Sequence, residues 1–274
     1  TTKEVETFQA RLGYIPVKDL LLGSEAEIWR DTRFRLSSNG VFNTPCKISF
    51  MPKAKMSKIP FPLAKKPFQR IFIDTLPGTI KDLNLESRPF PCYLFIVDQY
   101  TRWIALVGMW GYSSKAAVDS LTKWYTQNGG IVKLQMIEYV RSDAGTQFTS
   151  EEFQAFCQLH TIKCELAAPK HQEMNSICES NWKRVKYMSN KLLIQAGLST
   201  HFQYFSRLYA IDILNVMPTG ALTKEQQKLT TPFELVHGYK PSLNKYHTFG
   251  CPVVFKKYNL DAKSPQQGVR GIFL

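Results

Sequence analysis

The chain has 274 residues, enough to bury one central core of about 150 residues with extensions on both sides, and it is no small disulfide-stapled scaffold. Lys and Arg number 35 against 22 Asp and Glu, a formal charge of +13, which points to a polyanionic partner such as nucleic acid or an anionic membrane surface, or else to a generally basic soluble protein. No apolar run approaches the roughly 18 residues of a bilayer span, no signal-peptide pattern opens the chain, and the six cysteines lack paired spacings, so a cytoplasmic or nuclear protein without a disulfide framework is expected.

Residues 1–45 are weakly periodic, with Val5, Phe8 and Leu12 spaced to line one face of a short helix. Residues 46–73 hold no acidic side chain, and their lysines alternate with Pro52, Pro60, Pro62 and Pro67. Prolines at this density keep the backbone extended, giving a basic tether for a strand of phosphates or a solvated linker. Three strand-like runs follow at 70–74, 92–98 and 104–109, rich in Ile, Val, Phe and Tyr and suited to an antiparallel meander.

Ser113 or Ser114 is placed to cap a helix with Ala117, Val118, Leu121, Trp124 and Tyr125 at helical spacing, stopped by Asn128, Gly129 and Gly130. A fourth strand, 136–140, runs into Arg141, Ser142 and Asp143. Thr149 and Glu152 form a capping box for a helix with Phe153, Phe156 and Cys157 on one face, and a fifth strand covers 162–166. The order β-β-β-α-β-α-β-α predicts an α/β fold of the ribonuclease H type, a five-stranded mixed sheet with flanking helices. After a loop, 167–176, a long helix reaches about Gln195 and a second runs from about Ser199 to Met217, stopped by Pro218. Thr231 and Pro232 open a short helix that Gly238 closes. From 249 onward the pattern is strand again. The terminal apolar run, with Thr rather than Met at the front, suggests a piece of a longer polyprotein.

Asp74 ends the first predicted strand, Asp143 follows the fourth, and Glu179 lies in the first turn of the long helix. With the first and fourth strands adjacent, these three carboxylates converge, and they repel one another unless a cation sits among them. Hard oxygen ligands suit Mg²⁺ or Mn²⁺, and a pair of such ions activates an attacking hydroxyl and stabilises the leaving oxygen of a phosphoryl displacement. Strand-end aspartates alone are weak signals, since most cap turns.

The local sequence is more specific. Residues 142–148, Ser-Asp-Ala-Gly-Thr-Gln-Phe, resemble the second-aspartate motif of retroviral and retrotransposon integrases. Residues 168–180 resemble their flexible loop and glutamate helix, with thirty-five residues between Asp143 and Glu179, and 71–74 resemble the first-aspartate strand. The runs 95–103, 231–241, 249–252 and 271–274 are similar to segments of the copia-type retrotransposon integrases. The resemblance implies Asp74, Asp143 and Glu179 as catalytic, metal-binding residues holding two Mg²⁺ or Mn²⁺ ions. It implies DNA, both element ends and target, as partner, and a homo-oligomer of at least two copies with no membrane association. The expected setting is nucleus and cytoplasm, within a virus-like particle. Lys170, His171 and Gln172 in the loop, and Lys183, Arg184 and Lys186 on the helix, are the expected DNA contacts.

Two departures stand out. Ser176 occupies a position where the family usually has Gly, which would stiffen a loop that must flex. The family's N-terminal zinc module uses two His and two Cys, whereas Gln9 and Tyr14 stand at the histidine places, Cys46 matches one cysteine and Ser49 replaces the other. One cysteine cannot make a tetrahedral site, so no zinc is expected. The resulting organisation is a degenerate zinc-module-like region (1–45), a tether (46–69), a catalytic core (70–197), a helical extension (198–245) and the start of a β region (246–274). Asp98 reads as a structural turn residue, and Cys157, His160 and Cys164 as core packing rather than a metal cluster. The expected activity is metal-dependent strand transfer, with or without trimming of the 3′ end. The rivals are an inactive nucleic-acid-binding remnant and a ribonuclease H-like nuclease.

Overall fold

A computed structural model gives the structure over residues 11–13, 63–78, 90–127, 136–166, 176–218, 230–256 and 268–274. The first strand, β1 (Arg70–Pro77), is buried on both faces: Ile71 and Ile73 belong to one apolar cluster, Phe72 and Leu76 to another. A strand covered on both faces sits inside a sheet. Accordingly β1 has β2 (Cys92–Asp98) antiparallel on one side and β4 (Tyr139–Ser142) parallel on the other. With β3 (Ile104–Met109) beyond β2 and β5 (Lys163–Leu166) beyond β4, the order is β3-β2-β1-β4-β5. This is the mixed five-stranded, ribonuclease H-like sheet that the element order predicts.

The helices α1 (Ser114–Gln127), α2 (Thr146–Thr149) and α3 (Glu151–Leu159) cover the Ile71 face with Leu121, Trp124, Phe148 and Phe153. Helices α4 (Ser176–Ala196) and α5 (Gln203–Val216) cover the Phe72 face with Cys178, Val185, Leu192, Ile213 and Leu214. The helical segment after the long helix therefore shares the sheet's own core. Thr231 accepts a hydrogen bond from the Glu234 N–H at the start of α6 (Pro232–His237), and Gly238 closes that helix with a left-handed φ of 78°. Strands β6 (Pro252–Lys256) and β7 (Gly268–Ile272) form an antiparallel pair.

Several boundaries differ from the sequence reading. Strand β1 runs past Asp74 to Pro77 because β2 supplies partners out to Cys92. Strand β4 starts at Tyr139 rather than 136, since the Glu138 and Tyr139 amides both turn to the Gln69 carbonyl at 3.0 Å. Ser150 rather than Thr149 caps α3, its hydroxyl accepting from the Phe153 N–H at 3.3 Å, because Thr149 already ends α2. Val5, Phe8, the tether up to residue 62, the helix stop at 128–130 and the zinc-module positions Gln9, Tyr14, Cys46 and Ser49 lie outside the described residues. Leu12 is fully buried in the cluster that α4 and α5 build.

Two supports are polar. Asp98, buried, accepts from the Phe68 and Thr101 N–H groups and the Thr101 hydroxyl at 2.6–3.0 Å, the turn-bonding role expected of it. Asn215 of α5 grips edge strand β3: its Oδ1 accepts from the Ile104 N–H and its Nδ2 donates to the Ile104 carbonyl, both at 2.9 Å. Replacing Asn215 with Ala would strand two buried backbone groups, so Asn215→Ala is expected to lower unfolding free energy by about 2–4 kcal/mol in urea titrations. A loss under about 1 kcal/mol would show that water takes over both bonds.

Candidate active site

The parallel register of β1 and β4 ends at Phe72↔Arg141, while β1 continues beside β2, with Asp74 opposite Phe95. Asp143 lies one residue beyond β4. Extending the β1–β4 register by two residues sets Asp74 and Asp143 level, at the point where the two strands stop pairing. By strand periodicity Asp74 shares its face with Phe72 and Leu76, the face α4 covers, and Glu179 lies in the first turn of α4. Three elements thus deliver three carboxylates to one end of the sheet.

Their mutual influence is electrostatic. Burial pushes the Asp74 carboxyl up to about 6, helped by the charges of Asp143 and Glu179 and opposed by a hydrogen bond from the Thr75 backbone. The buried thiol of Cys178, next to Glu179, is held well above its ordinary value, first by burial and then by Asp74 and Asp143. The loop after β4 is tied down locally. The Gly145 N–H donates to Asp143 Oδ1 at 3.2 Å, and Gln147 Nε2 reaches across to Thr75 Oγ1 at 3.0 Å. A Cβ on Gly145 would stand 2.6 Å from that Gln147 nitrogen, so a side chain here would push the Gln147 amide aside.

Glu179 is turned outward. Its Oε1 accepts from Lys183 Nζ at 2.6 Å, and the two side chains are 62% and 57% exposed, so the pair is worth only a few tenths of a kcal/mol. Among the described residues no group of three His, Cys, Asp or Glu side chains is close enough together to hold a metal ion. Joint coordination requires Glu179 to leave Lys183 and turn toward the aspartates.

Of the expected DNA contacts, Lys183, Arg184 and Lys186 are exposed on α4. Arg184 donates to Asn181 Oδ1 at 3.3 Å, and Lys186 Nζ lies 6.0 Å from the centre of the Trp182 ring. Trp182 rests edge-on against Phe95 at 5.4 Å, anchoring this stretch of helix to β2. Lys170, His171 and Gln172 lie outside the described residues. Cys157 is buried, as the core reading expects, whereas His160 is half-buried at the end of α3 and packs on Phe156 with ring centres 4.7 Å apart. Sequence reasoning assigned no role to Thr75 or Gln147. Gln147 sits inside the quoted aspartate motif, and its partner across the sheet is what the motif alone does not reveal.

Residues 64–172 match the integrase core domain family, a span that ends before Glu179. The chain is 23% identical over 229 residues to the retrovirus-related Pol polyprotein from transposon RE2 of Arabidopsis thaliana, covering 80% of this chain and 15% of that polyprotein. It is 24% identical over 221 residues to the corresponding polyprotein from transposon RE1 of the same plant, covering 77% and 14%. The chain thus spans a small part of the curated relatives it matches. Among solved structures, a chain of the simian T-cell lymphotropic virus intasome superposes with a TM-score of 0.51 at 17% identity, covering 80% of this chain and 74% of that one, a likeness of fold.

Proposed function

Taking residues 64–172 as a retrotransposon-type integrase core domain, whose superfamily comprises polynucleotidyl transferases, we propose that this chain catalyses DNA strand transfer, joining the 3′ end of element DNA to target DNA. The observation that carries the reading is the β1–β4 register, which sets Asp74 and Asp143 level at one end of the sheet on the side where α4 begins with Glu179. An all-oxygen donor set, once Glu179 turns inward, fits Mg²⁺ or Mn²⁺ rather than zinc. Asp74, Asp143 and Glu179 would hold the ions, which when bound supply Lewis-acid activation of the attacking oxygen and stabilisation of the leaving one.

The chain's own residues do the positioning. The Gln147–Thr75 link and the Gly145 contact fix the loop that carries Asp143. Lys183, Arg184 and Lys186 project from the helix that carries Glu179, so a DNA backbone approaching the carboxylates meets positive charge first. Lys170, His171 and Gln172 are proposed to grip the DNA end from the preceding loop. Water in place of the 3′ hydroxyl would trim the end. Two DNA ends to be joined imply a homo-oligomer of at least two copies, acting within a particle in the cytoplasm and then in the nucleus.

One observation favours a second reading, a nucleic-acid-binding remnant without catalysis: Glu179 is engaged by Lys183, and the described carboxylates do not meet at one coordination point. The deciding experiment incubates purified protein with Mg²⁺ or Mn²⁺, a labelled blunt duplex bearing the element's terminal sequence, and supercoiled plasmid. Labelled plasmid products are expected. Binding without joining or nicking under either metal would establish the remnant.

A further inference from the structure

Strand β3 leads into Trp110-Gly111-Tyr112, and both aromatic side chains are exposed, Trp110 at 56% and Tyr112 at 53%. Neither hangs freely. Trp110 packs on Phe90 with ring centres 4.6 Å apart, and Phe90 in turn packs on Tyr93 and Tyr204. The Tyr112 hydroxyl donates to the Pro91 carbonyl at 3.3 Å. Fixed and exposed planar rings are an unusual use of surface, because water gains nothing from them.

Beside them opens a cavity of about 200 Å³, lined by Trp110, Ser113, Lys115, Asp119, Ser120 and Lys123. Lys115, Asp119 and Lys123 recur every fourth residue along α1 and so share one helix face. The register Pro77↔Cys92↔Met109 puts this aromatic-and-lysine corner at the sheet end toward which β1 runs past Asp74, two strands away.

We propose that Trp110 and Tyr112, with Lys115 and Lys123, form a second nucleic-acid site that takes an unpaired DNA strand. Bases stack on the aromatic rings, the lysine ammoniums meet phosphates, and the Asp119 carboxylate accepts from a ring N–H such as the N3–H of thymine. The cavity has the size of a nucleobase and not of a double helix, which selects an unpaired strand over a duplex. The inference rests on the strand-transfer reading only for the class of ligand. A strand held here would lie at the same end of the sheet as the carboxylates, two strands away and toward the side that α1 covers.

The test uses the full chain in EDTA, so that no joining occurs, and measures fluorescence anisotropy with a short labelled oligothymidine and with a blunt duplex. Tyr112→Ala and Trp110→Leu are each expected to weaken oligothymidine binding roughly tenfold. Lys115→Ala with Lys123→Ala should reduce the salt dependence of that binding by the equivalent of about two phosphate contacts. Blunt-duplex affinity should change less than about twofold. Melting temperatures identify folded variants, and because Tyr112 and the lysines are exposed, their variants remain informative if Trp110→Leu fails to fold. Folded variants that bind oligothymidine like the parent, lose duplex and single strand equally, or are displaced as readily by polyglutamate, would overturn the proposal. Absence of joining in the parent chain, with these losses observed, would instead remove the transfer reading and leave the site.

Discussion

Glu179→Gln is expected to reduce strand transfer by about 10²–10³-fold or more, the scale for removing one group aimed at transition-state charge, while DNA binding changes little. The substitution keeps the size of the side chain and its position in the first turn of α4, so a loss reports charge rather than packing. Lys183→Ala sharpens the result because Lys183 is the present partner of Glu179. A lysine acting only as a surface partner would leave joining intact and change stability by a few tenths of a kcal/mol. A lysine that meets DNA once Glu179 turns inward would lower the salt slope of DNA binding by about one contact. Joining by Glu179→Gln at near parental rate would remove this residue from the chemistry and, with it, the three-carboxylate reading.

Asp74→Asn is expected to abolish joining and yet make the metal-free protein more stable at neutral pH. The unfolded carboxyl titrates at 3.8 and the folded one at about 6, so the folded chain holds this proton more tightly. Stability from this group is greatest below the unfolded value, falls as pH rises between 3.8 and about 6, and stays low above that. A shift of this size is worth up to about 2–3 kcal/mol. Urea titrations in EDTA across that window should show the parent losing stability relative to Asp74→Asn, with the gap complete by neutral pH. Adding Mg²⁺ or Mn²⁺ should close the gap in the parent and do nothing for the variant. A parent that matches the variant at every pH would mean that Asp74 is neither desolvated by burial nor crowded by its neighbours.

Strands β2 and β3 were legible to the residue because their apolar runs are bounded by polar turns on both sides. The long helix and the capped α6 were legible because the signals that start and stop them are local. The length of β1 was not, since what carries it past Asp74 is Cys92 and its neighbours across a loop. The same distance hid the Gln147–Thr75 bond and the grip of Asn215 on Ile104, where a side chain substitutes for a strand more than a hundred residues away. Of the candidate site, residue types and spacing named the three carboxylates. The turn of Glu179 toward Lys183 depends on a rotamer, which no spacing specifies. The aromatic corner after β3 belongs to no quoted motif, and only its exposure in the fold sets it apart from core.

An edge strand with open amides and carbonyls is a template on which a second chain can add indefinitely. Asn215 occupies the first such station on β3, with one side-chain amide filling both the donor and the acceptor place of a neighbouring strand. Pairing at that station is blocked, so a second strand cannot begin to add to β3 at Ile104. A cell expressing Asn215→Ala would accordingly show the damage first as material in the pellet, before any change in the rate of the protein that stays in solution.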